Sequence, residues 1–169
     1  MHDDNPHSRS LRHGRYSEPG RIYFITSSSE RRARIFEKSE HAIVLLKECK
    51  LQQEKGDCES LAIVVMPDHF HWLLRLGKGR TLQQIVGSMK GRSAKRINEL
   101  RSNQGQIWQA GFHDHAIRRD EDLEAAATYL IHNPVRAGIV DNFHEYPFWS
   151  SIWHDRNCRK AFRPETSRG

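Results

Sequence analysis

The chain has 169 residues, a net charge of +6 with neutral histidines and an isoelectric point of about 9.5, which predict one basic domain that buries about two-thirds of its unfolded surface. Its longest aliphatic run, residues 61–66, is far shorter than the roughly 20 residues that span a bilayer, and the polar first residues lack the apolar core of a signal peptide. The cysteines at 49, 58 and 158 form no CxxC pair, so they favour a reducing cytoplasm over a disulfide framework, and we expect no membrane partner.

A polar arm precedes the first strand and helix. Residues 1–18 form this arm, and it carries a basic patch that includes Arg12 and Arg15. Residues 21–27 have the aromatic and β-branched composition of a strand. From residue 39 onward, apolar side chains at helical spacing predict an amphipathic helix that ends near the sequence EKGD.

Two strands joined by a short turn follow. Residues 58–66 and 69–76 have the composition of strands, and only Pro67 and Asp68 separate them. Because proline cannot continue a central ladder, this spacing predicts a tight hairpin. A second helix then begins at the sequence TLQQ, which has the spacing of a capping box.

One more strand and one more helix complete the pattern. Residues 112–118 alternate like a strand, and the acidic residues around 120–124 predict the start of a helix that ends before Pro134. The first six elements of the order β-α-β-β-α-β-α are those of a ferredoxin-like antiparallel sheet with helices on one face. We therefore predict an α+β fold with a single domain over residues 19–152 and a basic tail over residues 153–169.

Two histidines lie one residue apart in the third predicted strand. Because successive side chains of a strand point to opposite faces, His69 and His71 share one face. The opposite face is apolar and consists of Phe70, Trp72, Leu74 and Leu76. The two long helices should cover the apolar face, which leaves the histidines on the less covered one. Such a pair is compatible with simple packing, but neutral imidazole is also a common ligand for divalent metals. With no cysteine suitably placed, a metal here would occupy an open site.

The last predicted helix offers a hydroxyl and an amide. Tyr129 and Asn133 are four residues apart and are therefore neighbours on one helical face. Taken alone, Tyr129 could be a core residue and Asn133 could simply end the helix. Together with the histidines they supply two nitrogens and one oxygen for Mg²⁺ or Mn²⁺, with a nucleophile beside the ion.

Clustered basic residues predict a nucleic-acid partner, because phosphate backbones are bound by such clusters. The candidate contacts on the second helix and beyond it are Lys90, Arg92, Lys95, Arg96 and Arg118. The helix residues could equally form a solvated face. Trp108 is a candidate for stacking on an unpaired base, worth roughly 1–3 kcal/mol, or for a structural role at the sheet edge.

Three further residues could support the histidine pair. Asp68 could orient one of the histidines as a neighbouring carboxylate, or it could only form the turn. His113 and His115 alternate on the fourth predicted strand, on the face opposite Asp114, and could support the metal site or contact DNA. A hydrogen-bonded strand histidine is the commoner case.

Several separate motifs resemble one known family. The sequence MPDHFH resembles the histidine–hydrophobic–histidine motif of the HUH endonuclease superfamily, and TYLIHNPVRAGIV resembles the tyrosine helix of single-tyrosine transposases of the IS200/IS605 group. The wider pattern, in order over roughly residues 12–151, resembles the REP-associated tyrosine transposases. Its parts are GRYSEPGRIYFIT, RRARIF, VVMPDHFHWLL, IWQAGFHDHAIR, YLIHNPVRAGIV and YPFWSS.

The resemblance implies an HUH fold and cleavage of single-stranded DNA by transesterification at hairpin-forming palindromic repeats. Tyr129 would be the nucleophile, and it would form a 5′-phosphotyrosine and leave a free 3′-hydroxyl. His69 and His71 would bind Mg²⁺ or Mn²⁺, and Asn133 falls where relatives place a third polar ligand, often Gln. The basic N-terminal patch would join in recognising the DNA.

Three other functions remain open at this stage. A replication initiator or relaxase shares the metal motif, although such proteins commonly have longer chains or a second tyrosine. The second alternative is a protein that binds palindromic repeats without cutting them. The third is a structural domain that a bound metal stabilises. One nucleophilic tyrosine per chain means that two simultaneous cleavages need two chains, as in a homodimer, whereas successive cleavages do not require a second chain.

Overall fold

A single antiparallel sheet organises the chain. The structure is a computed structural model that describes residues 17–118 and 121–154. Its strands are β1 (Ile22–Ser28), β2 (Cys58–Met66), β3 (His69–Leu76), β4 (His113–Ala116) and β5 (Trp149–Ser151), in the order β4-β1-β3-β2-β5. Its helices are α1 (Ser39–Glu54), α2 (Leu82–Arg101), α3 (Leu123–Ile131) and α4 (Asn133–Arg136). The predicted α+β, ferredoxin-like fold is confirmed.

The strands β2 and β3 form the predicted tight hairpin at the centre of the sheet. Met66 pairs with His69, so Pro67 and Asp68 alone make the turn. Proline at the turn lies outside the ladder, where its missing N–H costs no sheet hydrogen bond. The hairpin therefore fixes the histidine pair at the start of a central strand.

The helices α1 and α2 cover one face of the sheet, as predicted. Phe70, Trp72 and Leu74 of β3 are fully buried there, in one cluster with Leu45 of α1 and Met89 of α2. The start of α2 is the predicted capping box: the side chain of Thr81 accepts from the backbone of Gln84, and the side chain of Gln84 accepts in return from Thr81 N–H.

The helix α3 packs on the opposite face, which is the face of the histidines. Leu73 of β3 and Val64 of β2 are buried there, together with Ala127, Leu130 and Ile131 of α3. Since Leu73 shares its face with His69 and His71, packing of α3 brings the helix that carries Tyr129 onto the histidine side of the sheet.

Three local features differ from the predictions. The last helix was expected to run through Asn133 and to stop at Pro134, but α3 ends at Ile131, and Pro134 lies in the first turn of a further short helix, α4. Proline is tolerated in a first helical turn because its missing N–H would have no partner there. The fourth strand is shorter than predicted. The strand β5, which pairs with β2, was not predicted.

Other predictions concern residues beyond the described ranges. The polar arm falls there apart from its last two residues, and with it the basic residues Arg12 and Arg15. The basic tail falls there after His154. Within residues 17–118 and 121–154, no helix combines the length and the apolar character needed to cross a bilayer.

Candidate active site

The register of the sheet places the two histidines side by side. His69 pairs with Ser28 and His71 pairs with Thr26, both on β1. The two imidazole rings lie with their centroids 4.9 Å apart and their planes nearly perpendicular, at 82°. Both side chains are only partly exposed. The two imidazoles therefore lie close together on one face, and the convergence of their nitrogens on one ion stays a prediction.

A carboxylate fixes the tautomer of His69. Oδ1 of Asp68 lies 2.6 Å from Nδ1 of His69, and Nε of Arg32 donates to Oδ2 of Asp68 at 3.0 Å. Burial acts to raise the pKa of Asp68, but the hydrogen bond with His69 and the charges of His69 and Arg32 outweigh it and lower that pKa. An ionised carboxylate only accepts, so Nδ1 of His69 carries the hydrogen of this bond, and Nε2 is the nitrogen left to bind a cation.

His71 is held neutral by its surroundings. Burial is the largest effect, and the charges of His69, Arg136 and Arg32 add to it, so that the pKa of His71 falls to about 4. Its Nδ1 lies 2.8 Å from Oγ1 of Thr26. A hydrogen bond from Nδ1–H to this hydroxyl leaves Nε2 of His71 available as well.

The donor set of the pair suits a divalent cation. The imidazole of His71 is neutral, and Nδ1 of each histidine makes a hydrogen bond, so Nε2 is the nitrogen that each ring can offer to a cation on this face of the sheet. In the part of the chain that the structure describes, no three His, Cys, Asp or Glu side chains form a metal cluster. A third protein ligand from that part would therefore have to be another group, such as an amide oxygen.

Asn133 retains an amide oxygen for this role. Its Nδ2 donates to the carbonyl of Leu130 at 3.0 Å, one helical turn earlier. This bond uses the amide nitrogen and leaves Oδ1 as the end that could bind a cation. Its assignment as the third metal ligand stays a prediction.

Tyr129 is the accessible phenol of the described chain. Its side chain is 62% exposed, whereas Tyr23 and Tyr146 are 4% and 7% exposed. The phenol oxygen of Tyr23 accepts from the N–H of Glu18, and the hydroxyl of Tyr146 donates to the carbonyl of Val65. Of these three tyrosines, only Tyr129 presents a hydroxyl that a substrate in solution could reach.

Three residues of the site were missed in the sequence. Thr26 lies on β1, and only strand pairing shows that it reaches His71; Arg32 follows β1, and only the folded structure shows that it reaches Asp68. Arg136 stacks on Tyr129 with its guanidinium carbon 3.8 Å from the ring centroid. The seven-residue spacing from Tyr129, two helical turns, was a signal that could have indicated Arg136.

The basic residues predicted on α2 differ in their surroundings. Lys90 donates to the carbonyls of Gln109 and Gly111 at 2.7 and 2.5 Å, so it holds the loop before β4. Arg92 pairs with Glu48 at 2.8 Å, and Arg96 lies 3.9 Å from Glu99. Lys95 is exposed. All four lie on the helix layer opposite the histidine face, and their contact with DNA stays a prediction.

Trp108 is a core residue, so the prediction that it stacks on a base is corrected. Its side chain is 6% exposed, and its Nε1 donates to Oγ of Ser93 at 3.1 Å. Its ring packs on Phe36 and Phe70 at centroid distances of 5.1 and 5.4 Å. A buried indole offers no free face to a base, and the alternative structural role is the one observed.

His113 and His115 lie on β4, exposed and on the face opposite Asp114, as predicted. His113 pairs with Thr26 and therefore shares the face of His71, two strands away. His115 lies 3.3 Å from a carboxylate oxygen of Glu121. The hydrogen bonds that orient the metal-site histidines come from Asp68 and Thr26, and a supporting role for His113 and His115 stays a prediction. A DNA contact stays a prediction for both.

Arg118 lies in a surface recess beside the end of β4. This recess is lined by Arg21, Glu121 and the backbone around Gly20. The side chain of Arg118 is exposed, which is compatible with the predicted DNA contact but does not test it.

Comparisons with known proteins agree with this architecture. The family model described as "Transposase IS200 like" matches residues 21–133. A REP-associated tyrosine transposase of Escherichia coli (strain K12) is 28% identical over 153 residues, which are 88% of this chain and 85% of that protein. A Haemophilus influenzae protein with the provisional name REP-associated tyrosine transposase is 29% identical over 117 residues. This match covers 63% of the chain and 65% of the length of the relative.

A solved structure gives the same result. The REP-associated tyrosine transposase bound to a REP hairpin superposes with a TM-score of 0.66 at 25% identity, and the match covers 92% of this chain and 89% of that one. The fold and the matched residues thus define the class: the chain belongs to the family of IS200-like transposases. The resemblance to REP-associated tyrosine transposases that the motifs predicted is confirmed by these relatives. Membership of a transposase family indicates a DNA-processing enzyme.

Proposed function

We propose that this protein cuts and rejoins single-stranded DNA that forms REP-type hairpins, with Tyr129 as the nucleophile. The observation that carries the proposal is the exposed Tyr129 on a helix that packs on the face of the His69 and His71 pair. A buried tyrosine, or histidines on the other face, would not support this chemistry. The hairpin-bound relative supports the choice of substrate.

The reaction is an exchange of phosphodiester bonds. The oxygen of Tyr129 attacks phosphorus, the P–O3′ bond breaks, and the leaving 3′ oxygen takes up a proton to become a hydroxyl while the phenol gives up its own proton. A 5′-phosphotyrosine link results. In the reverse direction a 3′-hydroxyl attacks this link and releases Tyr129, so strands are rejoined without ATP.

A divalent metal, Mg²⁺ or Mn²⁺, would be held by His69, His71 and Asn133. When bound there it would polarise the scissile phosphate and offset the charge that develops in the transition state. The chain's own contribution is to orient both imidazoles, through Asp68 and Thr26, and to keep His71 neutral by burial. Support for the metal comes from the Nε2 atom that each oriented ring can offer.

The basic residues would bind the hairpin stem. Because the α2 face lies across the sheet from the histidines, Lys95 and Arg96 are assigned to the stem and not to the scissile strand. We assign Arg12 and Arg15 of the arm to the same DNA. If α2 contacts phosphates, Lys95→Gln should reduce the slope of log affinity against log salt concentration by about one. Lys50→Gln, a change on α1, should leave that slope unchanged.

The test is covalent trapping. Labelled hairpin oligonucleotides are incubated with the protein and Mn²⁺ or EDTA, and the products are separated on a denaturing protein gel. We expect a shifted band with Mn²⁺ that is absent with EDTA and absent in Tyr129→Phe, because a phenylalanine has no oxygen to bond to phosphorus.

Tyr23→Phe is the matched control, since it also removes one phenol oxygen but leaves the exposed hydroxyl of Tyr129. This variant should form the adduct. An adduct that persists in Tyr129→Phe would show that another residue is the nucleophile. Tight hairpin binding without any adduct in the wild type would favour a protein that binds repeats without cutting them.

A further inference from the structure

Arg136 occupies a distinctive position beside Tyr129. Its guanidinium carbon lies 3.8 Å from the centroid of the Tyr129 ring, which is contact distance for a cation on an aromatic face. Both residues are exposed. They line one surface groove with Thr128 and His132, along α3 and α4.

Arg136 lies on the histidine side of the sheet. The helix α3 packs on Leu73 of β3, which shares its face with His69 and His71, and α4 follows α3 after His132. A scissile phosphate that Tyr129 attacks on this side of the sheet would meet the positive charge of Arg136.

The edge of the guanidinium remains available. Within residues 17–118 and 121–154, no carboxylate forms an ion pair with Arg136, and its one recorded partner is the ring of Tyr129. Stacking uses the flat face of a guanidinium, whereas its N–H groups point outward in the plane. One arginine can thus stack on the tyrosine and donate hydrogen bonds to an anion at the same time.

We propose that Arg136 is a catalytic residue that donates hydrogen bonds to the non-bridging oxygens of the scissile phosphate while it holds the ring of Tyr129 for attack. This proposal rests on the proposed function. A guanidinium matches two phosphate oxygens in one plane and stays charged at every working pH. Its donors would strengthen as negative charge builds up on phosphorus in the transition state.

The experiment measures the single-turnover rate of adduct formation at saturating hairpin DNA. Arg136→Ala should slow adduct formation by about 100-fold, the effect of losing one donor to developing negative charge. Arg136→Lys should lie between the alanine variant and the wild type, because a lysine keeps the charge but not the planar donors. Hairpin affinity, measured in a Tyr129→Phe background, should change far less, since many phosphates contribute to it.

Two controls separate chemistry from folding. Arg75→Ala removes an exposed arginine of β3 that pairs with Glu59, and it should form the adduct at the wild-type rate. Guanidinium chloride, added below the concentration that unfolds the protein, should partly restore the rate of Arg136→Ala and leave the wild type unchanged. A merely structural arginine would show no such rescue.

The outcomes distinguish the two proposals. If the wild type forms the adduct and Arg136→Ala forms it at the same rate, or if added guanidinium does not restore the slow variant, the assignment of Arg136 is wrong while the proposed function stands. If neither the wild type nor any variant forms an adduct, the proposed function itself fails.

Discussion

At the scale of single residues, His69 depends on a chain of two neighbours. Asp68 accepts from His69, and Arg32 donates to Asp68. The backbone of Arg32 has a positive φ of 55°, an uncommon conformation for a residue with a side chain. This backbone brings the arginine back over the turn, so the segment before α1 contributes to the site.

Asp68→Asn should weaken Mn²⁺ binding by about 10- to 100-fold, because the amide cannot orient His69 or raise its basicity as a carboxylate does. Titration calorimetry with Mn²⁺ measures this affinity. Asp57→Asn, which removes a carboxylate paired with Arg80, should keep the wild-type affinity. Equal Mn²⁺ affinity in both variants would show that Asp68 serves the turn alone.

A second residue-scale prediction concerns Trp108. Trp108→Phe should lower the free energy of unfolding by about 1–3 kcal/mol, because Ser93 loses its buried partner. Urea unfolding gives this value. Hairpin affinity should stay at the wild-type level, whereas a large loss of affinity with unchanged stability would restore base stacking as the role of Trp108.

At the scale of elements, α3 determines where Tyr129 lies. Asp122 caps this helix: its Oδ1 accepts from the N–H groups of Glu124 and Ala125 at 2.9 and 3.1 Å. At its other end, the side chain of Thr128 lies 3.0 Å from His154, beyond β5. The cap thus fixes the start of the helix, and Thr128, directly before the nucleophile, connects it to the segment after β5.

Asp122→Ala should cost about 1 kcal/mol of unfolding free energy, because two N–H groups lose their acceptor. Denaturant unfolding provides the measurement. Asp122→Asn should be close to the wild type, since asparagine caps helices about as well as aspartate. If Asp122→Ala and Asp122→Asn have the same unfolding free energy as the wild type, the capping bonds contribute nothing to stability.

The sequence predicted the features that are specified by residues close together in the chain. The Pro67–Asp68 turn and the capping box at Thr81 are specified by adjacent residues, and both were found as predicted. The strand β5 has three residues and no usable periodicity, and only its pairing with β2 defines it. Thr26 was missed for the same reason: its partner His71 is 45 positions away.

At the scale of the whole molecule, apolar packing covers both faces of the sheet. Two clusters of buried residues fill the two sides, one around Trp72 and one around Leu73. Burial of each large apolar side chain contributes roughly 1.5–3 kcal/mol before the entropy of folding is subtracted. The histidine pair lies at the start of β3, and we expect this packing to hold the fold together without a metal.

Chelation by EDTA should therefore abolish adduct formation without unfolding the chain. The thermal midpoint should fall only by the amount that the bound metal had added to it through binding the native state. Differential scanning calorimetry with and without EDTA measures it. His71→Ala should behave like the chelated protein in the adduct assay. Cooperative unfolding on chelation would instead identify a domain that depends on metal for its structure.

The central claim is that Tyr129 becomes covalently linked to the 5′ end of a cut strand. The most direct measurement is mass spectrometry of proteolysed protein after incubation with a hairpin oligonucleotide and Mn²⁺. We predict a 5′-phosphodeoxynucleotide on the peptide that contains Tyr129, and a free 3′-hydroxyl on the released fragment. Modification of a different residue, or a cut strand with no modified peptide, would contradict the account.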